Sequence, residues 1–306
     1  MIKVAYIEKF DHYFSSANYI AAAFNRMGIE VMSISLDAPW HTIREMIISY
    51  KPDFVLCSKG ADYFERLVPW IKACGIPLVH WSFDRLFYLD RAQTVIRKRK
   101  LYTSDLVFTT DGGCDEQWRE QFKVHHRTLR QGIHGPDRLW LDPVPKDFDI
   151  VFIGSVYNEC RRNLVRFLSS TYGSRFKVFG ASEKPEDQIR GLDLNELLRS
   201  VKIVVGDSLP GDHYWSNRLY EQRGRGGFLL HPYTVGMGLE FEVGKELVLY
   251  PRDNMDELKN IIDYYVDHDE EREQIRSCGF HRCPTYEDRV RTMMHFVKAI
   301  IRRRQT

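Results

Sequence analysis

Three polar side chains fall at helical spacing within Tyr214–Leu230, which reads Y-W-S-N-R-L-Y-E-Q-R-G-R-G-G-F-L-L: Asn217, Arg218 and Glu221. Positions three and four apart share one helix face. A carboxylate there can accept hydrogen bonds from two neighbouring hydroxyls, as a ribose diol offers. An arginine beside it can hold a phosphate or carboxylate. The same residues also suit an ordinary structural ion pair, so their meaning depends on their surroundings. Gly226 and Gly227 should stop the helix before an apolar strand at Phe228–His231.

Other loops carry reactive side chains. Ile153 is followed by Gly154-Ser155-Val156-Tyr157-Asn158, then by Arg161 and Arg162. A glycine at a strand end, amides at a helix start and guanidinium groups suit a phosphate, and equally a plain turn with solvated arginines. The G-K-[ST] ending of a P-loop is missing. The first strand leads into Glu8-Lys9-Phe10-Asp11-His12-Tyr13, which lacks the G-x-G-x-x-G of a dinucleotide site. Asp11 or His12 could serve as a base or bind substrate, or simply open the next helix. Asp84 leaves the fourth strand in the same direction, as a site residue or a helix cap. His134 lies near a domain junction. Asp207-Ser208 and Gly236-Met237-Gly238 are further strand-end loops, and Glu240 and Glu242 after the second suit solvent equally well.

The elements that must position these residues alternate regularly. Val4–Ile7, Glu30–Leu36, Asp53–Ser58, Pro77–Trp81, Asp105–Thr109 and His126–Arg130 read as strands. Helical patterns lie between them: Ile20, Phe24 and Met27 closed by Gly28, then Ile43 to Tyr50, Tyr63–Ala73, and a long basic helix over 91–102. After a linker-like stretch at 142–147 the alternation restarts with Asp149–Gly154, Phe176–Gly180, Lys202–Val205, Phe228–His231 and Leu247–Tyr250. Asn254 with Glu257 makes a capping box for a helix to Asp267, and a last helix runs over 286–304. Strands alternating with helices imply parallel sheets, whose ligands sit beyond the carboxyl ends of the strands. The expectation is two α/β domains with their strand ends facing across a cleft.

Composition narrows the classes. The 306 residues carry a net charge of +2, so no polyanion partner is written into the total, although Arg97-Lys98-Arg99-Lys100 and Arg302-Arg303-Arg304 form local basic runs. The six cysteines (Cys57, Cys74, Cys114, Cys160, Cys278 and Cys283) make no C-x-x-C pair, and no metal site is expected, even at Cys278, His281 and Cys283. No apolar run reaches the roughly 18 residues of a membrane span. The start suits a strand rather than a signal peptide. A cytoplasmic protein is expected, which counts against the two-domain periplasmic binding proteins.

The second half resembles the glycosyltransferase domain of the spore-maturation CgeB-like family, among the GT-B transferases related to glycosyltransferase family 4. Four pieces carry the resemblance over about residues 146 to 300. They are D-I-V-F-I-G-S with two arginines after it, G-L-D-L-N-E-L-L-R-S-V-K-I-V-V-G-D-S, N-R-L-Y-E-Q-R-G-R-G-G-F-L-L and P-T-Y-E-D-R-V-R. The resemblance implies a GT-B fold of two facing Rossmann-like domains: an acceptor domain over 1–143, a donor domain over 144–285, and a helix over 286–306 crossing back to the first. It implies that a hexosyl or pentosyl group moves from a nucleotide-diphosphate sugar, a UDP-sugar first among these, without an essential metal. Glu221 would hold the donor ribose, with Asn217 and Arg218 lining the same pocket. Gly154, Ser155 and Arg161 would meet the diphosphate, and Gly236, Met237 and Gly238 the sugar or phosphate. His213 stands where related transferases carry the first acid of an E-x7-E pattern, and Pro284 where a histidine is usual. The acceptor hydroxyl could belong to a glycan, a metabolite, a protein or a hydroxymethylated DNA base. A nucleotide-sugar-binding protein without transfer activity and a nucleotide-sugar epimerase are the alternatives.

Overall fold

The computed structural model describes residues 1–58, 64–83, 92–111, 119–142, 144, 148–180 and 188–305. It divides into two compact units, Met1–Gln131 with Tyr286–Thr306, and Gly132–Thr285.

The first unit is built on a parallel sheet of β1 (Lys3–Glu8), β2 (Glu30–Ser35), β3 (Phe54–Cys57), β4 (Leu78–Ser82), β5 (Leu106–Thr109) and β6 (His126–Thr128). Its strand order is β2-β1-β3-β4-β5-β6. The central strands are apolar on both faces because helices cover both. Val4, Tyr6, Leu56, Val79 and Trp81 pack with α1 (Ser16–Arg26) and the last helix, α10 (Tyr286–Gln305). The alternate residues Ala5, Ile7, Val55 and Cys57 pack with α2 (Trp40–Tyr50) and α3 (Phe64–Ala73). This period of two is the pleat of the strands. The Ser15 side chain caps α1 by accepting from the Asn18 amide at 3.3 Å. In α10 the buried residues Val290, Met293, Met294 and Val297 follow the spacing of one helix face.

The second unit holds β7 (Phe148–Ile153), β8 (Phe176–Phe179), β9 (Val201–Val205), β10 (Leu229–Pro232) and β11 (Val248–Tyr250), all parallel, in the order β11-β10-β9-β7-β8. One face packs on α6 (Gly191–Arg199) and α7 (Arg218–Gly224), through Val151, Val204, Leu198 and Leu219. The other packs on α5 (Glu159–Tyr172), α8 (Met255–Asp267) and α9 (Asp269–His281), through Phe152, Ile203, Leu168, Ile262 and Ile275. The capping box forms in part as expected: Asn254 Oδ1 accepts from the Glu257 amide at 3.0 Å.

Three features depart from the sequence reading. The units part at Gln131/Gly132, ahead of the boundary expected at 143. The reason is local: Ile133 is fully buried in the second core, and its amide donates to Pro284 O at 3.0 Å. The Asn195 side chain then donates to the carbonyls of Asp137 and Leu139. The long basic helix is α4 (Ala92–Lys98) followed by a tight turn at Lys100–Thr103. Arg99 is extended, and the Lys100 amide donates to Glu65 instead of continuing the helix. Finally, α9 has few apolar residues to announce it, because two buried arginines, Arg272 and Arg276, fill much of its inner face. Arg276 lies over the ring of Trp140, 4.5 Å from its centroid.

Candidate functional site

In the second sheet the chain passes from β7 to β8 on one side and then returns to β9 on the other. Loops leaving the carboxyl ends of β7 and β9 therefore diverge, and such a reversal opens a crevice. The β7 loop begins at Gly154, whose φ of 143° is a conformation that side chains disfavour. A Cβ there would lie 2.0 Å from Arg218 Nη1, so the glycine makes room for that guanidinium. Asn158 then caps α5 by accepting from the Arg161 amide at 2.9 Å.

The buried guanidinium of Arg161 donates to Asp207 Oδ2 at 2.8 Å and to Ser155 O at 3.1 Å. Arg252 donates to the other oxygen of Asp207 at 3.3 Å and to Ser208 O at 2.8 Å. Burial, and then the charge of Arg161, lower the pKa of Arg218 to about 10, which leaves it charged at neutral pH. Two guanidinium groups thus bond one carboxylate, Asp207, and a third, Arg218, lies within reach of its charge, so this cluster holds more positive than negative charge.

A cavity of about 430 Å³ adjoins this cluster, lined by Gly154, Ser155, Arg218 and Glu221 with Arg190 and Leu194. Burial pushes the Glu221 carboxyl up, and the Arg225 guanidinium opposes that rise. Arg225 Nε donates to Glu221 Oε2 at 3.2 Å. Arg225 is itself fixed by Asn195 Oδ1 at 2.6 Å, by Gly191 O at 3.0 Å and by Asp137. One oxygen of Glu221 is held in place while the residue lines the cavity. Sequence reading missed Arg225 as this brace and Gln188, Ile189 and Arg190 as a wall. The i, i+4 spacing of Glu221 and Arg225 was the available signal.

The remaining candidates fall elsewhere. Asn217 immediately precedes α7 and does not line the cavity. His213 and Gly236 touch each other: a Cβ on Gly236 would meet His213 Nδ1 at 2.2 Å, and the His213 amide donates to Val235 O at 2.8 Å. Met237 is fully buried in the core, whereas Gly238 is exposed. Asp11 and His12 are exposed beyond β1, beside the reversal between β1 and β3 in the first sheet. The His12 carbonyl accepts from the Ser15 amide at 2.9 Å, as a loop opening a helix does. Asp84 lies outside the described residues. His134 is half-buried just before a short turn. Glu240 accepts from Tyr220 at 2.7 Å, and Glu242 pairs with Arg282. Arg97 to Lys100 are exposed.

A buried relay holds the segment ahead of α7. Pro232 O can only accept, so His231 Nδ1 donates to it at 2.9 Å and Nε2 is left to accept from Ser208 Oγ at 3.2 Å. Ser208 Oγ in turn accepts from the Ser216 amide at 2.7 Å. Burial lowers the His231 pKa to about 4, which keeps the ring neutral as this relay requires. Cys283 is buried and donates to Tyr220 O at 3.3 Å. Among the described residues, no group of three or more His, Cys, Asp or Glu side chains could hold a metal ion, and no helix is long and apolar enough to cross a membrane.

Residues 161–295 match a family model described as glycosyl transferase-like. The chain is similar in structure to a glycosyltransferase from Rickettsia africae ESF-5, with a TM-score of 0.70, 11% identity and 98% of each chain covered. It is also similar to HepE from Anabaena, solved with UDP and glucose, with a TM-score of 0.68 and 10% identity over 98% of this chain and 100% of the other. A sucrose-phosphate synthase from Thermosynechococcus elongatus gives a TM-score of 0.68 and 13% identity over 98% of this chain and 99% of that one. No curated protein matches the sequence. The architecture is that of the GT-B glycosyltransferases, with two Rossmann-like α/β units.

Proposed function

We propose that this chain is a glycosyltransferase moving a hexosyl or pentosyl group from a nucleotide-diphosphate sugar to a hydroxyl acceptor. The observation that carries the reading is the charge surplus of Arg161, Arg218 and Arg252 over Asp207, beside a cavity containing Glu221. A diphosphate supplies the missing negative charge, and the start of α5 adds its positive dipole end. Glu221, held through Oε2, keeps Oε1 to accept a ribose hydroxyl. A UDP-sugar is the donor we favour, since HepE was solved with UDP and glucose. The motifs quoted above favour a CgeB-like transferase.

In the reaction, the acceptor oxygen forms a bond to the anomeric carbon. The bond from that carbon to the diphosphate oxygen breaks, and the diphosphate leaves with the electron pair. Arg161 and Arg218 stabilise that charge, so the proposal needs no divalent metal. The acceptor's proton passes to a base, for which Asp11, His12 and Asp84 are the candidates. The acceptor could be carried by a glycan, a metabolite, a protein or a modified DNA base in the cytoplasm. A DNA acceptor requires binding that weakens steeply with salt. His213, standing in place of an acid, favours a second reading: a protein that binds nucleotide sugars without transferring them. An epimerase would instead change the sugar with no acceptor present.

Thermal unfolding with a panel of nucleoside diphosphates tests the site, because a ligand that binds only the native state raises its stability. UDP should raise the melting temperature, and Glu221→Ala should reduce the rise. A full rise in that variant removes Glu221 from the site. Release of UDP from a UDP-sugar, measured with and without acceptors, separates transfer from binding alone.

A further inference from the structure

We propose that a groove along the final helix docks the headgroups of an anionic phospholipid bilayer. Arg291, His295, Lys298 and Arg302 succeed one another at spacings of four, three and four, so they form one stripe along α10. All four are exposed, and all four line a groove of about 710 Å³. No carboxylate lines it. Arg291 is paired with Asp288 at 2.7 Å, whereas Lys298 and Arg302 make no ion pair among the described residues. The groove is therefore cationic.

Its floor is apolar, with Ile2, Met27 and Met294 beneath the stripe. Met1, next to Ile2, is 92% exposed. This combination selects the partner. A nucleic-acid backbone uses the cations but gains nothing from thioether and methyl groups under them. A phospholipid brings a phosphate with methylenes directly behind it. Methionines adapt readily to such irregular apolar shapes. Association of this kind is peripheral, combining apolar burial with electrostatic attraction to anionic lipid.

The test is co-sedimentation of the full chain with phosphatidylcholine vesicles, with and without phosphatidylglycerol. Binding should require the anionic lipid. Each cation near an anionic surface contributes roughly fivefold, so Lys298→Gln with Arg302→Gln should weaken binding about 25-fold. Met27→Glu, which puts a carboxylate into the apolar floor, should abolish binding at some cost in melting temperature, and Lys298→Glu, at an exposed position, should abolish it with an unchanged melting curve. Arg97→Gln with Lys98→Gln, in the other basic run, should leave binding intact. Equal binding to neutral vesicles overturns the proposal, as does full binding by the Lys298 and Arg302 variant. So does tighter binding to duplex DNA that the same variant loses, or complete competition by free glycerophosphate.

Discussion

Substitution of Gly154 by alanine should weaken nucleotide binding through Arg218 while the fold survives. Two effects are separable. The backbone at φ 143° disfavours a Cβ, at a cost of about 1–3 kcal/mol in stability. The new methyl would also lie 2.0 Å from Arg218 Nη1, an overlap that must be relieved. The obstructing atom is the tip of a flexible side chain, so Arg218 swings away and the strand stays in place. A displaced arginine gives up a charge-assisted hydrogen bond to phosphate, worth about 1.5–3 kcal/mol. The dissociation constant for UDP should therefore rise roughly ten- to hundredfold. Calorimetric titration measures it, and thermal unfolding reports the backbone cost separately. The Arg218→Ala background isolates the cause. There, with no guanidinium to displace, adding Gly154→Ala should change affinity by no more than about 0.5 kcal/mol. An equal loss in both backgrounds would show that the loop binds phosphate without Arg218 and would refute the reasoning.

Two further outcomes follow from buried groups. His80 and His231, one in each unit, are held neutral by burial, with pKa lowered to about 4 from 6.5. The unfolded chain takes up these protons first, so each histidine should cost stability as pH falls below 6.5. The loss approaches ~3 kcal/mol per histidine near pH 4 and then levels off; a melting temperature that is flat from pH 6.5 to 4 would contradict this. Asn254→Ala removes the cap of α8 and should cost about 1 kcal/mol in urea unfolding, whereas no change would mean that the helix start is held by packing alone.

Much of the architecture was legible because parallel sheets write themselves as apolar runs separated by helical patterns. Val4–Ile7 and Ile150–Phe152 are buried on both faces, and no turn residue interrupts them. The strand order within each sheet was not legible, since it depends on long-range pairing that no local pattern encodes. The end of the basic helix was hidden for a similar reason: Arg99 turns extended while Leu101 and Tyr102 are drawn into buried positions. The α9 helix escaped notice because buried arginines stand where apolar residues usually mark a helix face. In the site, Gly154, Ser155, Arg218 and Glu221 could be named from type and spacing. Asp207 could be placed on a strand-end loop, but its bonds to Arg161 and Arg252 join residues far apart in sequence.

Those distant bonds decide what the crevice can hold. A lone pair such as Arg161 with Asp207 would be electrically satisfied and would leave little reason for an anion to enter. Arg252 takes the second oxygen of Asp207, so that carboxylate is already engaged on both sides. Arg218 is left against Gly154, and burial first, then the charge of Arg161, lowers its pKa. On the proposed reading, a phosphate would supply the negative charge that Asp207, engaged by Arg161 and Arg252, does not give Arg218. Glu221 lies on the same short helix one turn away, held by Arg225 instead of Arg218. That division keeps the helix's carboxylate from neutralising the arginine proposed to meet the diphosphate. One face of α7 can then present an acceptor for hydroxyls and a donor for phosphate at once, which is the pairing a nucleotide requires.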